Sequence, residues 1–367
     1  MTYLEQLLEG KEVEWRPLGE VAELKRGTSI TQKTSTEGIY PVISGGQQPA
    51  YYVDQFNRTG ETITVAGSGA YAGFLQYWNE PIFVCDAFSI KPDPSRLLTR
   101  FVYFFLLNQQ KKLHAMKQGG AVPHVYVKFV APLLIPLPPL AVQQQIVEIL
   151  DKFTALEAEL EAELEARGRQ FRYYRNKLLQ FGKEVEWRPL GEVAELKRGR
   201  VISKKYIEEN TGQYPVYSSQ TLNNGEIGRI NTFDFDCETV TWTTDGVYAG
   251  TVFYRKGKFS ITNVCGMITI LDTQRLNYQF LSFWLSIEAR KHVNPSMGNA
   301  KVMNHQMAKI LIPLPPLAVQ EQIVAVLDKF HTLVHSLSEG LPAEIALRRR
   351  QYRYYRRRLL DFPKPRR

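Results

Sequence analysis

Two turns at matching places in the chain carry side chains suited to reading a polar ligand. Ser44-Gly45-Gly46-Gln47-Gln48 follows one short β-type run, and Ser218-Ser219-Gln220-Thr221 follows a similar run later on. Glutamine and asparagine amides can bond an adenine edge through two atoms at once, while serine and threonine hydroxyls and bare backbone N–H groups suit phosphate oxygens. The placement recurs. Gly67-Ser68-Gly69 precedes Tyr71, as Thr243-Thr244-Asp245 precedes Tyr248. The loop from Gly119-Gly120 to His124 stands where Asn299, Lys301 and Asn304 stand in the later region, and Tyr51, Asn223 and Asn224 complete the set. Turn-forming chemistry accounts for any one of these residues. The set carries more, because the turns diverge where the flanking strands agree.

The same residues supply little for catalysis. Gly67-Ser-Gly69 and Gly119-Gly120 are the two candidate phosphate cradles, and neither has the Lys-Ser/Thr of a P-loop or the following helix of a dinucleotide fold. No Asn/Asp-Pro-Pro-Tyr/Phe run of an adenine methyltransferase occurs, and no nuclease-type carboxylate pair recurs in both halves. His331 and His335 lie four apart on a helical run without a third ligand, so no metal site is expected. Cys85, Cys237 and Cys265 cannot pair completely; Cys85 and Cys265 sit in apolar runs as small hydrophobes, and a reduced, cytoplasmic setting is expected. The expectation is a chain that binds without catalysing and holds no cofactor of its own.

The elements that must position these turns are written twice. Lys11–Gly27 and Lys183–Gly199 are identical over seventeen residues; Ile135–Leu156 resembles Ile312–Leu333, and Arg169–Phe181 resembles Arg350–Phe362. The offsets are 172, 177 and 181 residues, too long a period for a solenoid. The chain therefore divides into a copied N-terminal segment (1–27), a first variable module (28–132), a copied region (133–199), a second variable module (200–309) and a last copied region (310–367). Tyr3–Gly10 resembles Tyr174–Gly182, as if the N-terminus continued the last helix and the molecule closed on itself with pseudo-twofold symmetry.

Within the variable modules, Tyr40–Ser44, Glu61–Val65 and Tyr71–Leu75 read as strands, as do Tyr214–Ser218, Glu238–Trp242 and Tyr248–Val252. Arg100–Gln118 and Leu276–Val293 read as helices with aromatic faces. The fold class is α+β (or α/β), with two homologous globular modules. Each copied region enters through PLPPL, where proline fixes φ and forbids helix upstream. A helix of roughly 60 Å then runs from about Leu140 to Phe181. Its seam steps through Ile146, Leu150, Phe153, Leu160, Leu164, Phe171, Tyr174 and Leu178, with charged Glu157 and Arg167 filling two places. The second copy continues through Ile323, Leu327, Phe330, Val334, Leu337 and Leu341, then holds four extra residues before Tyr352 and Tyr355. Pro342 beside Gly340 should break it. Two long helices of like pattern in one chain are expected to pair antiparallel as a coiled coil.

Charge is placed unevenly. The net charge is +9, and residues 348–367 alone carry ten basic side chains and one acid, so the rest of the chain is neutral. A binder of nucleic acid would here work through patches and not through a global field. No apolar run is long enough to span a membrane, and no signal-peptide pattern opens the chain.

The duplicated IPLPPLAVQ-x-QIV block around two variable modules resembles the specificity (S, HsdS) subunit of type I restriction–modification enzymes, over essentially the whole length. The resemblance implies two target recognition domains, each reading one half of a bipartite, asymmetric site on double-stranded DNA. It also implies a coiled coil that spaces them and docks two modification (methyltransferase) subunits. S-adenosylmethionine would be held by those partners; ATP and magnesium would act on partner subunits, ATP with a restriction subunit. The two blocks are unusually alike, and the Arg-rich tail has no equally charged counterpart in the first copy. A different class remains open from the residues alone: a coiled-coil spacer carrying two protein-binding heads.

Overall fold

The structure, a computed structural model, describes residues 3–294, 300–336 and 338–363. It comprises two compact units, Met1–Glu161 with Glu344–Arg367, and Ala162–Ala343. Asn299 and the seam residue Leu337 lie outside the described residues.

Both units are assembled by the same copied strands. Glu14–Pro17 pairs antiparallel with Leu134–Leu137, Glu14 opposite Leu137, and Glu186–Pro189 pairs with Leu311–Leu314 in the same register. Each ribbon has only two strands, which suits the prolines they carry, since proline cannot donate to a ladder. The next copied strand is part of the module's own sheet. Ala22–Arg26 edges a sheet continued by Ala87–Pro92, Thr62–Ala66 and Leu75–Trp78. In the second unit the order is Ala194–Arg198, Cys265–Ile270, Phe235–Thr243, Val252–Ile261, Thr211–Tyr217 and Glu226–Ile230. One long strand, Val252–Ile261, holds that sheet together. Its counterpart in the first unit is interrupted between Trp78 and Phe83 by Asn79-Glu80-Pro81, and the remainder becomes a separate sheet of Tyr52–Val53, Tyr40–Ile43 and Phe83–Val84.

A helix covers each sheet. Thr99–Asn108 buries Phe101, Phe104 and Phe105, and Tyr278–Glu288, capped by the Asn277 side chain, buries Phe280, Phe283 and Trp284. The strands expected to begin at Tyr71 and Tyr248 begin later, at Leu75 and Val252. Gly73 and Gly250 adopt φ of +83° and +78°, and Ala72 N–H bonds the Gly69 carbonyl, so each tyrosine belongs to a turn.

The long helix runs from Leu140 to Leu178, 39 residues or roughly 58 Å. In the first unit Ile146 and Leu150 are fully buried in the module's core, and Phe153 stacks on Tyr355 at 5.4 Å and meets Tyr352. In the second unit Phe171 is buried, Val334 faces Gly168 so that a Cβ there would meet it at 3.9 Å, and Tyr174 stacks on Phe330 at 5.5 Å. Rising numbers on this helix meet falling numbers on its partners in both units, so the pairing is antiparallel. Ile323 and Leu327 are buried in the second core, while Leu160 and Leu164 are half-buried.

The two charged seam positions are satisfied locally. Arg349 Nε donates to Glu157 at 2.6 Å and the same guanidinium reaches Glu161; Arg167 donates to Glu163 at 2.7 Å and to Gln170 at 2.8 Å. The second copy is broken as its proline and glycine dictate, into Leu317–His335 and Leu341–Leu359. A Cβ on Gly340 would overlap the Thr332 and Leu333 carbonyls, so only glycine can turn back over the end of the first of these helices.

The termini meet within the first unit. Trp15 Nε1 donates to the Pro363 carbonyl at 2.7 Å, as Trp187 Nε1 donates to the Gly182 carbonyl at 3.2 Å in the second. The last helix and the residues that follow it thus supply Leu359 and Phe362, and the short helix Tyr3–Leu8 packs beside them without extending the helix. Cys265 is buried, which pushes its thiol up to about 12, and Cys85 is half-buried.

Candidate nucleic-acid interface

Three loops converge in the first module. The Ser44–Gln48 turn lies so close to the Gly67–Gly69 turn that a Cβ on Gly45 would stand 2.6 Å from the Ser68 carbonyl. The third loop joins through backbone bonds: Gly69 N–H to the Pro123 carbonyl at 2.9 Å, Val125 N–H to the Gly67 carbonyl at 2.9 Å, and Gln118 and His124 to each other. Lys117 Nζ fastens the Ala70 carbonyl at 2.7 Å. Gln47, Gln48, Tyr71, Gly119 and Gly120 are exposed, and Ser44, Gly46 and His124 are half-buried. The Tyr51 hydroxyl is already committed to the Ile30 carbonyl at 2.9 Å. Ser68 donates to the Asp86 carboxylate, and the His124 ring stacks on Tyr126 with centroids 5.7 Å apart. Gly67, Asp86, His124 and Tyr126 edge a cavity of about 420 Å³ that also takes in Arg26 and Lys128.

The second module brings the matching pair of loops together with other chemistry. Gly246 N–H bonds the Ala300 carbonyl at 2.9 Å, Val302 N–H bonds Thr244 at 2.9 Å, and Asn294 and Lys301 bond each other. Asp245 occupies the place of Ser68, and Lys301 that of His124, as the matching bridges Ser68–His124 and Asp245–Lys301 show. The Asp245 carboxylate accepts from Arg198 Nη2 at 3.2 Å and lies 3.4 Å from Lys301 Nζ. Arg198 also bonds Thr244 Oγ1 at 2.6 Å. One acid thus gathers two cations at the mouth of the turn. Tyr248 is as exposed as Tyr71, at 46% each.

Several expected contact residues are redirected. Thr243 and Thr244 are fully buried: the Thr243 hydroxyl donates to the Tyr248 carbonyl and the Thr244 hydroxyl to Asp245 at 2.5 Å, so both shape the turn and neither reaches outward. Asn304 bonds the Leu196 carbonyl at 3.0 Å. Gln220 donates to the Glu226 carbonyl, Ser218 receives the Thr262 hydroxyl at 2.9 Å, and Ser219 is half-buried. Asn223 and Asn224 are exposed with φ of 49° and 55°, a left-handed corner held by Arg255, which donates to the Asn224 carbonyl. Burial holds the Arg255 guanidinium below its ordinary pKa, and it stacks over Tyr217 at 3.6 Å.

Sequence reasoning passed over Asp86 and Arg198. Asp86 lies in no turn motif, and Arg198 sits inside an identical block, where sameness marked it as support. Among the described residues no group of three or more His, Cys, Asp or Glu side chains could hold a metal ion, and no helix is long and apolar enough to cross a membrane.

Two modules on copied supports, each bringing unlike loops together, are an architecture that known proteins share. The family described as the type I restriction modification DNA specificity domain matches residues 10–166 and again 182–347. The specificity subunit of the EcoR124I/EcoR124II type I restriction enzyme of Escherichia coli is 31% identical over 415 residues, spanning 100% of this chain and 98% of that one. A Mycoplasma pneumoniae chain assigned as type I specificity subunit S.MpnORF615P is 42% identical over 234 residues, 61% of this chain and 92% of that one. The fold matches the crystal structure of the type I restriction–modification S subunit from M. genitalium with a TM-score of 0.69 at 19% identity, covering 99% of this chain and 100% of that one. The chain belongs to the type I restriction–modification specificity subunits.

Proposed function

We propose that each module reads one half of a bipartite, asymmetric site on double-stranded DNA, and that the paired helices set the distance between the halves. The observation that carries this reading is the matched meeting of two loops in each module, joined by a third in the first, whose polar groups differ. Gln47, Gln48, Ser68 and His124 stand on one support and Asp245 and Lys301 on the other, each beside a copied arginine, Arg26 or Arg198. An amide favours an adenine edge and a lysine a guanine edge, so Gln47 and Gln48 against Lys301 suit different sequences. A helix of roughly 58 Å exceeds the 34 Å or so of one DNA turn, which supports its use as a spacer.

In this reading the chain supplies no reacting group. Two modification subunits dock on the copied helices and bring S-adenosylmethionine, and a restriction subunit brings ATP- and magnesium-dependent steps. The test is methylome sequencing of cells expressing the chain with its modification partner. Exchanging residues 28–132 for another module should change one half-site; a change in both would refute independent reading. Inserting or deleting four residues within 156–166 should change the spacer alone, and altered half-sites with an unchanged spacer would sink the helical ruler.

A further inference from the structure

The second unit leaves open a groove that the first unit fills with its own N-terminus. In the first unit, Leu4 and Leu8 of the short helix Tyr3–Leu8 are each 4% exposed, and Tyr3 and Leu4 line an apolar pocket with Ile149, Tyr354, Tyr355 and Leu359. The surroundings are copied: Ile149 and Leu359 of the pocket correspond to Val326 and Leu178, and Val142 and Phe362, in the same core cluster as Leu4 and Leu8, correspond to Val319 and Phe181. The short helix is not, for among the described residues nothing in the second unit takes its place. Exposure follows that difference. Val142 is 6% exposed and Leu359 and Phe362 are 3%, whereas Val319 is 38% and Val326 is 42% exposed, with Leu178 and Phe181 only half-buried. Like sequence has unlike cover.

We propose that this strip of the second unit is a berth for a short amphipathic helix of a partner protein with the pattern of Tyr3–Gly10. Leu4 and Leu8, four apart, share one helix face, and the segment carries Glu5 and Glu9 and no basic residue. Lys177 borders the open strip as Arg358 borders the filled one, which favours an acidic helix. The occupant is not the N-terminal helix of a second copy, because such an exchange would uncover as much apolar surface in one unit as it covered in the other. Of two otherwise like supports, one accepts a helix of this kind and the other is already served. The inference is independent of DNA reading.

A capped, fluorescently labelled peptide of Tyr3–Gly10 is titrated against the full chain by anisotropy. The expected result is saturable binding to one site, weakened at least roughly tenfold by Val326→Glu, which places a charge in the strip. Val326 is exposed enough for that variant to fold, and Ile149→Val in the filled groove is the control that leaves binding unchanged. No saturable binding up to millimolar chain, or binding indifferent to Val326→Glu, overturns the proposal. Sedimentation of the full chain showing a dimer that Val326→Glu dissolves also overturns it, in favour of a second copy.

Discussion

The two sheets solve one packing problem in opposite ways. In the first unit Val65 stands across from Phe88; at the same place in the second, Trp242 stands across from Gly266. All three side chains are buried, and a Cβ on Gly266 would overlap the Trp242 ring. The large group has changed strands while the strand order Ala22–Arg26, Ala87–Pro92, Thr62–Ala66 is preserved as Ala194–Arg198, Cys265–Ile270, Phe235–Thr243. A few residues further, the turn that follows the same strand carries Ser68 with Asp86 and His124 in one unit, and Asp245 with Arg198 and Lys301 in the other. The order of these three strands is thus held constant while both core volume and surface charge vary in compensating groups.

The sharpest way to break that comparison is to move the large group back. Gly266→Phe alone overpacks the second core and should cost about 3 kcal/mol or more. Trp242→Val alone leaves a cavity and should cost about 3–5 kcal/mol. The double variant should regain most of the loss, because it restores the arrangement of Val65 and Phe88. Urea unfolding, with hydrogen exchange over residues 235–243 to localise the effect, gives the coupling. A double variant no more stable than the worse single one means that the sheets are alike in order but not in packing.

The turn chemistry can be divided in the same manner. Asp245→Asn removes the charge that gathers Arg198 and Lys301. If those cations read bases, discrimination at one position of the second module's half-site should fall by about 10–100-fold. Ser68→Ala should act on the other half-site alone. Methylome sequencing reads both; an effect of Asp245→Asn on the first module's half-site would break the division.

Much of this was legible before any coordinates. Periodicity placed Ile146, Leu150, Phe171, Ile323 and Leu327 on buried faces, and Pro342 with Gly340 marked the break, because those signals are local in sequence. The turns were found, but which of their side chains face outward was not. Thr243 and Thr244 look like Ser44 and Gln48 in a string of letters, and only backbone bonds to distant partners turn them inward: Thr243 to Gly250 and Thr251, Thr244 to Val264 and Val302. Tyr71 and Tyr248 read as strand residues until Gly73 and Gly250 take positive φ. Arg198 escaped because an identical block reads as scaffold, although its partner Asp245 is 47 residues away in the part that varies.

The helix pairs allow two smaller tests. In the second unit His331 and His335 stack at 4.6 Å beside Phe171. Both side chains keep an exposed face, yet the Phe171 and Phe283 rings packed on them strip away enough water to hold both below the ordinary 6.5; His335 lowers His331 further and Arg175 lowers His335, while Asp328 and the His331 carbonyl oppose the shifts. Their folded pKa values lie under the unfolded ones, so the unfolded chain binds more protons near pH 6. The stabilisation is complete above 6.5 and is lost as pH falls below it. The corresponding first-copy residues are Thr154 and Ala158, which do not titrate. Acidification from pH 7.5 to 5.5 should therefore loosen the second pair first, seen as faster exchange over 317–335 than over 341–359. His331→Thr with His335→Ala should remove the difference.

The first pair should respond to salt instead, and weakly. Arg349 joins Glu157 and Glu161, but its side chain is 48% exposed and Glu161 is 51% exposed. Water already solvates these charges, so holding them together adds at most about 1 kcal/mol. Arg349→Ala should lower stability by that amount or less at low ionic strength. At about 1 M salt, where the screening length is near 3 Å, the difference should vanish. A loss above about 2 kcal/mol that persists in salt would mean that the arginine's aliphatic stem, and not its charge, holds the helices together. The charged seam would then be apolar packing in both units, and the contrast between a salt-sensitive pair and an acid-sensitive one would fail.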